Sequence, residues 1–111
     1  MTVEQLSQEL QLTVFGGNKG LMAEISGGYT SDLLSDVMGY AAAGNVWITL
    51  QTHKNVMAIA SLKELAAIVL VKGFTPDQDT LDQANEEGIP ILGSKEQAFE
   101  LSAKIYNLLR G

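Results

Sequence analysis

Between Leu65 and Val71 the chain reads Leu-Ala-Ala-Ile-Val-Leu-Val, with no polar residue anywhere in the run. A strand with one wet face would alternate apolar and polar positions. The Ala67–Val71 part does not alternate, is short and is rich in β-branched residues, which is the pattern of a strand covered on both faces. Such a strand belongs at the centre of a mostly parallel sheet, and parallel neighbours can be joined only by crossovers, usually helical. The rest of the chain has to supply helices and strands in alternation.

It does so from Leu21 onward. Leu21–Ile25 reads as a short strand ending in Ser26-Gly27-Gly28, Val46–Leu50 as a compact strand carrying the only tryptophan, Trp47, and Ile89–Leu92 as the last strand. Between them, Thr30 or Ser31 is placed to cap a helix whose stripe is Leu33, Leu34, Val37, Met38 and Ala41 and which ends at Gly44. Val56–Leu65 favours a helix of small residues. Thr75-Pro76-Asp77-Gln78 combines an N-cap, a proline at the first helical position and a capping-box glutamine, and Gly88 ends that helix. Ser94 with Gln97 announces a final helix with Ala98, Leu101, Ile105, Leu108 and Leu109 on one side. Ahead of all this, Thr2 and Gln5 form a capping box for a helix on Val3, Leu6 and Leu10, and Leu12–Phe15 is a first strand before the turn Gly16–Gly20. The expected fold is a single α/β domain over residues 1–111, a mostly parallel β-sheet of about five strands flanked by helices. At this length a globule buries about two thirds of its unfolded surface, enough for a core of its own.

Composition removes several function classes. With no cysteine there are no disulfides, thiolate metal sites or cysteine nucleophiles, and a single histidine, His53, excludes a multi-histidine zinc site within one chain. The net charge of −6 repels nucleic acid. The longest apolar run falls far short of the roughly 20 residues that span a bilayer, and the first residues lack the basic and apolar regions of a signal peptide, so a cytoplasmic protein without a membrane partner is expected. No cofactor is implied.

Strands that end in small or polar residues point to where a ligand would sit. Gly16-Gly17, Gly27-Gly28, Thr52-His53 and Gly93-Ser94 each follow an expected strand. In open parallel sheets ligands bind beyond the carboxyl ends, where helix N-termini offer N–H groups to anions. The expected crest is Gly27, Gly28, Asp32, Thr52, His53, Lys54, Asn55 and Ser94. His53 is of the type that donates to a phosphate or titrates near neutrality, and equally of the type that bonds local backbone on a surface. Asp32 and Asp36 stand one helical turn apart, suited either to a divalent cation or simply to the helix dipole and solvent. Trp47 reads as core. Tyr106, Leu108 and Leu109 extend the last helix's stripe beyond what one small sheet covers, which suits a homodimer interface.

Three stretches carry a resemblance to a known module: Asp32-Leu33-Leu34-Ser35-Asp36-Val37, the strand and turn Val46–His53, and Ala67–Gly73 with Pro76 and the later Gly88-Ile89-Pro90. In that order, from Gly27 to the C-terminus, the chain resembles the DRTGG domain, which occurs beside CBS domains in some pyrophosphatases, in phosphotransacetylases and in short stand-alone proteins similar to the N-terminal domain of HPr kinase. The family's naming motif would fall on Thr52-His53-Lys54-Asn55, where its acidic-basic pair is replaced by His53 and Lys54. Kinase chemistry would need a G-x-x-x-x-G-K-[ST] loop and acidic magnesium ligands, and no Gly-Lys-Ser or Gly-Lys-Thr occurs. The resemblance implies a regulatory or ligand-sensing module, commonly a dimer. Its expected partner is a small anionic metabolite or nucleotide, or alternatively a larger enzyme on which it docks without any small ligand.

Overall fold

A computed structural model describes residues 1–111. The elements run α1 (Val3–Glu9), β1 (Thr13–Gly16), a 3-10 turn (Asn18–Gly20), β2 (Gly27–Thr30), α2 (Leu34–Tyr40), β3 (Asn45–Thr49), α3 (Asn55–Leu62), β4 (Ala67–Leu70), α4 (Gln78–Glu87), β5 (Ile91–Gly93) and α5 (Ala98–Arg110). They build one five-stranded sheet in the order β1-β5-β4-β3-β2, with β2 to β5 parallel and β1 antiparallel against β5. The apolar run Ala67–Leu70 is the central strand, as its pattern requires.

Each parallel crossover advances by one strand in the same direction. With a constant hand, that places α2, α3 and α4 on one face of the sheet, and α5 passes to the other face beside α1. The side chains of the inner strands alternate accordingly. Val46, Ile48, Ala67, Val69, Val71 and Leu92 pack with Val3, Leu6, Leu101 and Ile105 from α1 and α5. Trp47, Ile68, Leu70 and Ile91 pack with Val37, Val56, Met57, Ile59, Ala60 and Ala84 from the other three helices. A three-layer α/β sandwich results from period-two alternation in strands that are wholly buried.

The first helix begins as its sequence demands: the Gln5 N–H donates to Thr2 Oγ1 at 3.2 Å, and the Thr2 N–H donates to Gln5 Oε1 at 2.9 Å. Elsewhere the boundaries moved. Leu21–Ile25 is not a strand of the sheet. Its backbone bonds go to the N-terminal segment, through Val3 N–H to Ala23 O, Glu4 N–H to Leu21 O and Ile25 N–H to Met1 O. The strand is therefore Gly27–Thr30, and Gly27-Gly28 open it instead of following one. Helix α2 stops at Tyr40 because Ala41 turns extended, and Gly44, with φ +82°, serves the turn into β3. Neither Thr30 nor Ser31 caps α2 by its side chain; Ser31 Oγ accepts the Leu33 N–H just ahead of it. Asp77, not Thr75, holds the N-cap position of α4, so Pro76 lies outside the helix. Gln97 is the N-cap position of α5, and Ser94 Oγ accepts the Glu96 N–H before the helix starts.

Candidate functional site

Two of the four small-residue strand ends lie at the carboxyl edge of the parallel sheet, Thr52-His53 beyond β3 and Gly93-Ser94 at the end of β5. The other two lie at the opposite edge. Gly27 and Gly28 stand in register with Asn45 and Val46, the start of β3. Gly16 ends an antiparallel strand, so it faces Ile91, the start of β5. The expected crest is thereby divided. Gly27 and Gly28 line a groove of about 600 Å³ between β2 and α5. Lys54 and Asn55 line a depression of about 670 Å³ between α3 and α4. Ser94 lines a third, of about 440 Å³, beside β1.

At the carboxyl edge the structure does assemble a polar cluster around His53. Its Nδ1 lies 2.7 Å from Asp77 Oδ2. The turn that carries it is fixed to the start of α4: the Asp77 N–H donates to Thr52 O at 3.1 Å, and Thr80 Oγ1 donates to the same carbonyl at 2.8 Å. Asp77 makes no side-chain cap to its own helix and spends its carboxylate on His53 instead. With Nδ1–H donating to the carboxylate, the ring is oriented and Nε2 is the outward nitrogen, on a side chain that is 70% exposed. Lys54 and Asn55 follow at the start of α3, where the helix N-terminus adds partial positive charge. Sequence reading named Thr52, His53, Lys54 and Asn55 as candidates and did not include Asp77. The signal was present, because Thr75-Pro76-Asp77 ends the loop after the neighbouring parallel strand, and such loops meet at one edge.

The two aspartates do not come together on a cation. Asp32 Oδ1 accepts from Thr49 Oγ1 at 2.8 Å and from the Leu50 N–H at 2.7 Å, and the Gln51 side-chain amide donates to Asp32 O. It ties the β2–α2 loop to the end of β3. Asp36 accepts from the Tyr29 hydroxyl at 2.8 Å. No group of three or more His, Asp and Glu side chains is placed to hold a metal ion. The Asp36 bond raises the Tyr29 pKa, since ionising the phenol would remove the donated proton beside a carboxylate, and partial burial and the Asp36 charge act in the same direction. A raised pKa stabilises the fold below the ordinary tyrosine value of about 10 and is lost as pH rises through the folded value. Ultraviolet titration should accordingly show one of the three tyrosines ionising later than the others, and Tyr29→Phe should remove that late step. Three phenols titrating together would refute the bond.

His53 and Asp77 form two members of a catalytic triad without the third. Thr80, the hydroxyl closest to them in the hydrogen-bond network, is 1% exposed and committed to Thr52 O. The Asp77 carboxylate orients the imidazole and leaves Nε2 facing outward.

No curated protein matches the sequence. Among solved structures, the chain is similar to the CBS and DRTGG domains of the regulatory region of Clostridium perfringens pyrophosphatase, complexed with the activator diadenosine tetraphosphate. The TM-score is 0.76 at 12% identity, over 95% of this chain and 46% of that one, so the present chain spans about half the length of the protein it resembles. No helix is long and apolar enough to cross a membrane. The model of the DRTGG domain matches residues 5–108, taking in α1 and β1 as well as the stretch from Gly27 on which the resemblance was first carried, and the chain belongs to the DRTGG-domain family.

Proposed function

We propose that this chain is a regulatory module, without catalytic activity of its own, that binds an anionic ligand of nucleotide or phosphorylated-metabolite type at the Thr52–Asn55 turn. The observation that carries this reading is the His53–Asp77 pair, an imidazole oriented by a carboxylate on an exposed turn, with Lys54 and the start of α3 beside it. Protonated, the ring donates Nε2–H to a phosphate oxygen while Asp77 balances its charge. The complex of the similar pyrophosphatase regulatory region with diadenosine tetraphosphate supports the nucleotide class. The chain's lack of a phosphate-cradling Gly-Lys-Ser or Gly-Lys-Thr loop supports a binding role over a kinase.

The test is a thermal-shift screen against nucleotides, dinucleoside polyphosphates, phosphorylated metabolites and divalent cations. A ligand at a hundredfold excess over its Kd stabilises the fold by about 2.7 kcal/mol, which for a domain of this size is a rise of roughly 10 °C. His53→Ala is expected to abolish that rise while leaving the unliganded melting temperature nearly unchanged, since the side chain is mostly solvent-exposed. A flat response across the panel would remove this reading. A second reading, a subunit that docks on a larger enzyme with no small ligand, is favoured by a different observation: the groove between β2 and α5 is mainly apolar and flanked by Phe99 and Tyr106, which are 83% and 60% exposed.

A further inference from the structure

We infer that the β2 edge of the sheet takes up an extended peptide of a partner protein, added antiparallel to β2 beside α5, with its terminal carboxylate against Arg110. β2 is the last strand on its side of the sheet and pairs only with β3. Gly27–Thr30 make no backbone bonds outside that ladder. Alternate residues of the strand therefore turn an N–H and a C=O outward without a partner in the chain. Exposed edges are ordinarily blunted by charge, proline or a bulge. The opposite edge follows that rule, with a register shift between Val14 and Gly16. β2, with the sequence Gly-Gly-Tyr-Thr, has no charge, no proline and an unbroken register.

The groove beside this edge stays open because of a glycine that the fold does not require. Gly28 and Thr30 share the face of β2 that looks at α5, where Thr30 Oγ1 lies 2.8 Å from Ser102 Oγ. The Gly28 backbone is not left-handed, and a Cβ there would meet only Val46 Cγ2 and Val46 O, at 3.6 and 3.7 Å, which is ordinary contact. A glycine inside a strand weakens it, and one that neither backbone nor packing demands marks a close approach by a ligand or another chain. A side chain at position 28 would fill the groove that Ile48, Phe99 and Tyr106 line. Its absence leaves room for alternate side chains of an added strand, whose main-chain bonds supply affinity while the pocket supplies specificity.

Charge and helix direction set the sense of the peptide. α5 begins beyond the carboxyl edge of the sheet and runs back past β2, so Ser102 sits beside Thr30 and Arg110 lies toward Gly27, where the strand starts. Arg110 is the one charged residue lining the groove, and it has no ion-pair partner within the chain. Its guanidinium is held 5.4 Å from the centroid of the Tyr106 ring. A strand added antiparallel, the slightly more stable pairing, brings its carboxyl end to that guanidinium.

Fluorescence anisotropy with a library of labelled octapeptides, apolar at alternate positions and ending in a free carboxylate, tests the inference. Members of the library are expected to bind at micromolar concentrations, about tenfold more weakly when the carboxyl end is amidated and at least about tenfold more weakly to Arg110→Glu, a substitution at an exposed position. Gly28→Val is the decisive variant. Its melting temperature should equal or exceed that of the parent, because valine suits a strand better than glycine, while peptide binding is lost. No binding across the library at several hundred micromolar would overturn the inference, as would a Gly28→Val chain that still binds. So would a doubling of the parent's mass in solution that Gly28→Val abolishes, which would give the edge to a second copy. The inference develops the docking reading above, and the two fail separately: a larger enzyme that docks while no peptide binds leaves that reading standing and removes this one. The thermal-shift screen contains no peptide and is read independently.

Discussion

Trp47→Ala is expected to remove about 3–5 kcal/mol of stability, the usual cost of deleting a large buried aromatic, from a domain whose total is on the order of 5–15 kcal/mol. Trp47 is fully buried in the middle of β3, on the face covered by α2, α3 and α4, among Val37, Met57, Ile68 and Leu70. Its indole also makes a polar tie, with Nε1–H donating to Ser31 O at 2.7 Å. That bond holds the β2–α2 loop against the sheet, next to the contact that Asp32 makes with Thr49. Urea unfolding followed by far-ultraviolet circular dichroism measures the loss, since the substitution removes the fluorescent probe. Trp47→Phe keeps most of the packing and gives up the donor and part of the ring volume, so its cost should be clearly smaller. Equal losses for the two variants would mean that the Ser31 bond, and not the ring's volume, is the dominant contribution.

Gly17→Ala is expected to cost about 3 kcal/mol or more and to release β1 from the sheet edge. Gly17 has φ +74°, and a Cβ there would be driven into the Ile89 carbonyl and the Pro90 Cα. Those are backbone atoms on the strand's own neighbour, with no rotamer to yield. The left-handed conformation alone costs a side-chain-bearing residue about 1–2 kcal/mol, and overpacking adds about 1–3 kcal/mol. The Gly17 N–H also donates to Asn85 Oδ1 at 2.7 Å, so displacing the turn breaks its link to α4. Gly73 is the control: its φ is nearly the same, +73°, but a Cβ there meets nothing within 4 Å. Gly73→Ala should show the conformational penalty alone. If the two alanine variants melt together, the close approach of Gly17 to Ile89 and Pro90 is not a constraint on the fold.

The parts of this fold that were legible in the sequence are those whose signal is local. A run such as Ala67–Val71 can satisfy its apolar surface only between two layers of helix, and it became the centre of the sheet. Thr2 and Gln5 reach one another within a single turn, and the capping box formed. Strand β2 was misplaced because Leu21–Ile25 has the stronger strand composition, yet its backbone groups are taken by the N-terminal residues. Gly27–Thr30, poor in strand formers, gains its ladder from β3 instead. That one shift carried Gly27 and Gly28 to the far edge of the sheet, and the antiparallel course of β1 did the same for Gly16-Gly17.

The candidate site divides along the same line. His53 stood out as the chain's single histidine, in a polar turn after a strand, a place that suits a phosphate contact and a local surface bond alike. Its partner Asp77 lies 24 residues away, and only the meeting of the loops after β3 and β4 at one edge signals the pairing. The expected stripe of Tyr106, Leu108 and Leu109 is corrected by the packing: Leu108 and Leu109 lie half-buried against the domain's own core, and only Tyr106 faces outward. By itself the sequence determined the periodicities, the capping box of α1 and the Gly88 stop of α4, because each of these depends on residues within a turn or two of one another. The tertiary structure alone decided which strand ends share an edge, which acid orients His53 and which helix face is left open, because those follow from pairings between distant segments that local preference does not encode.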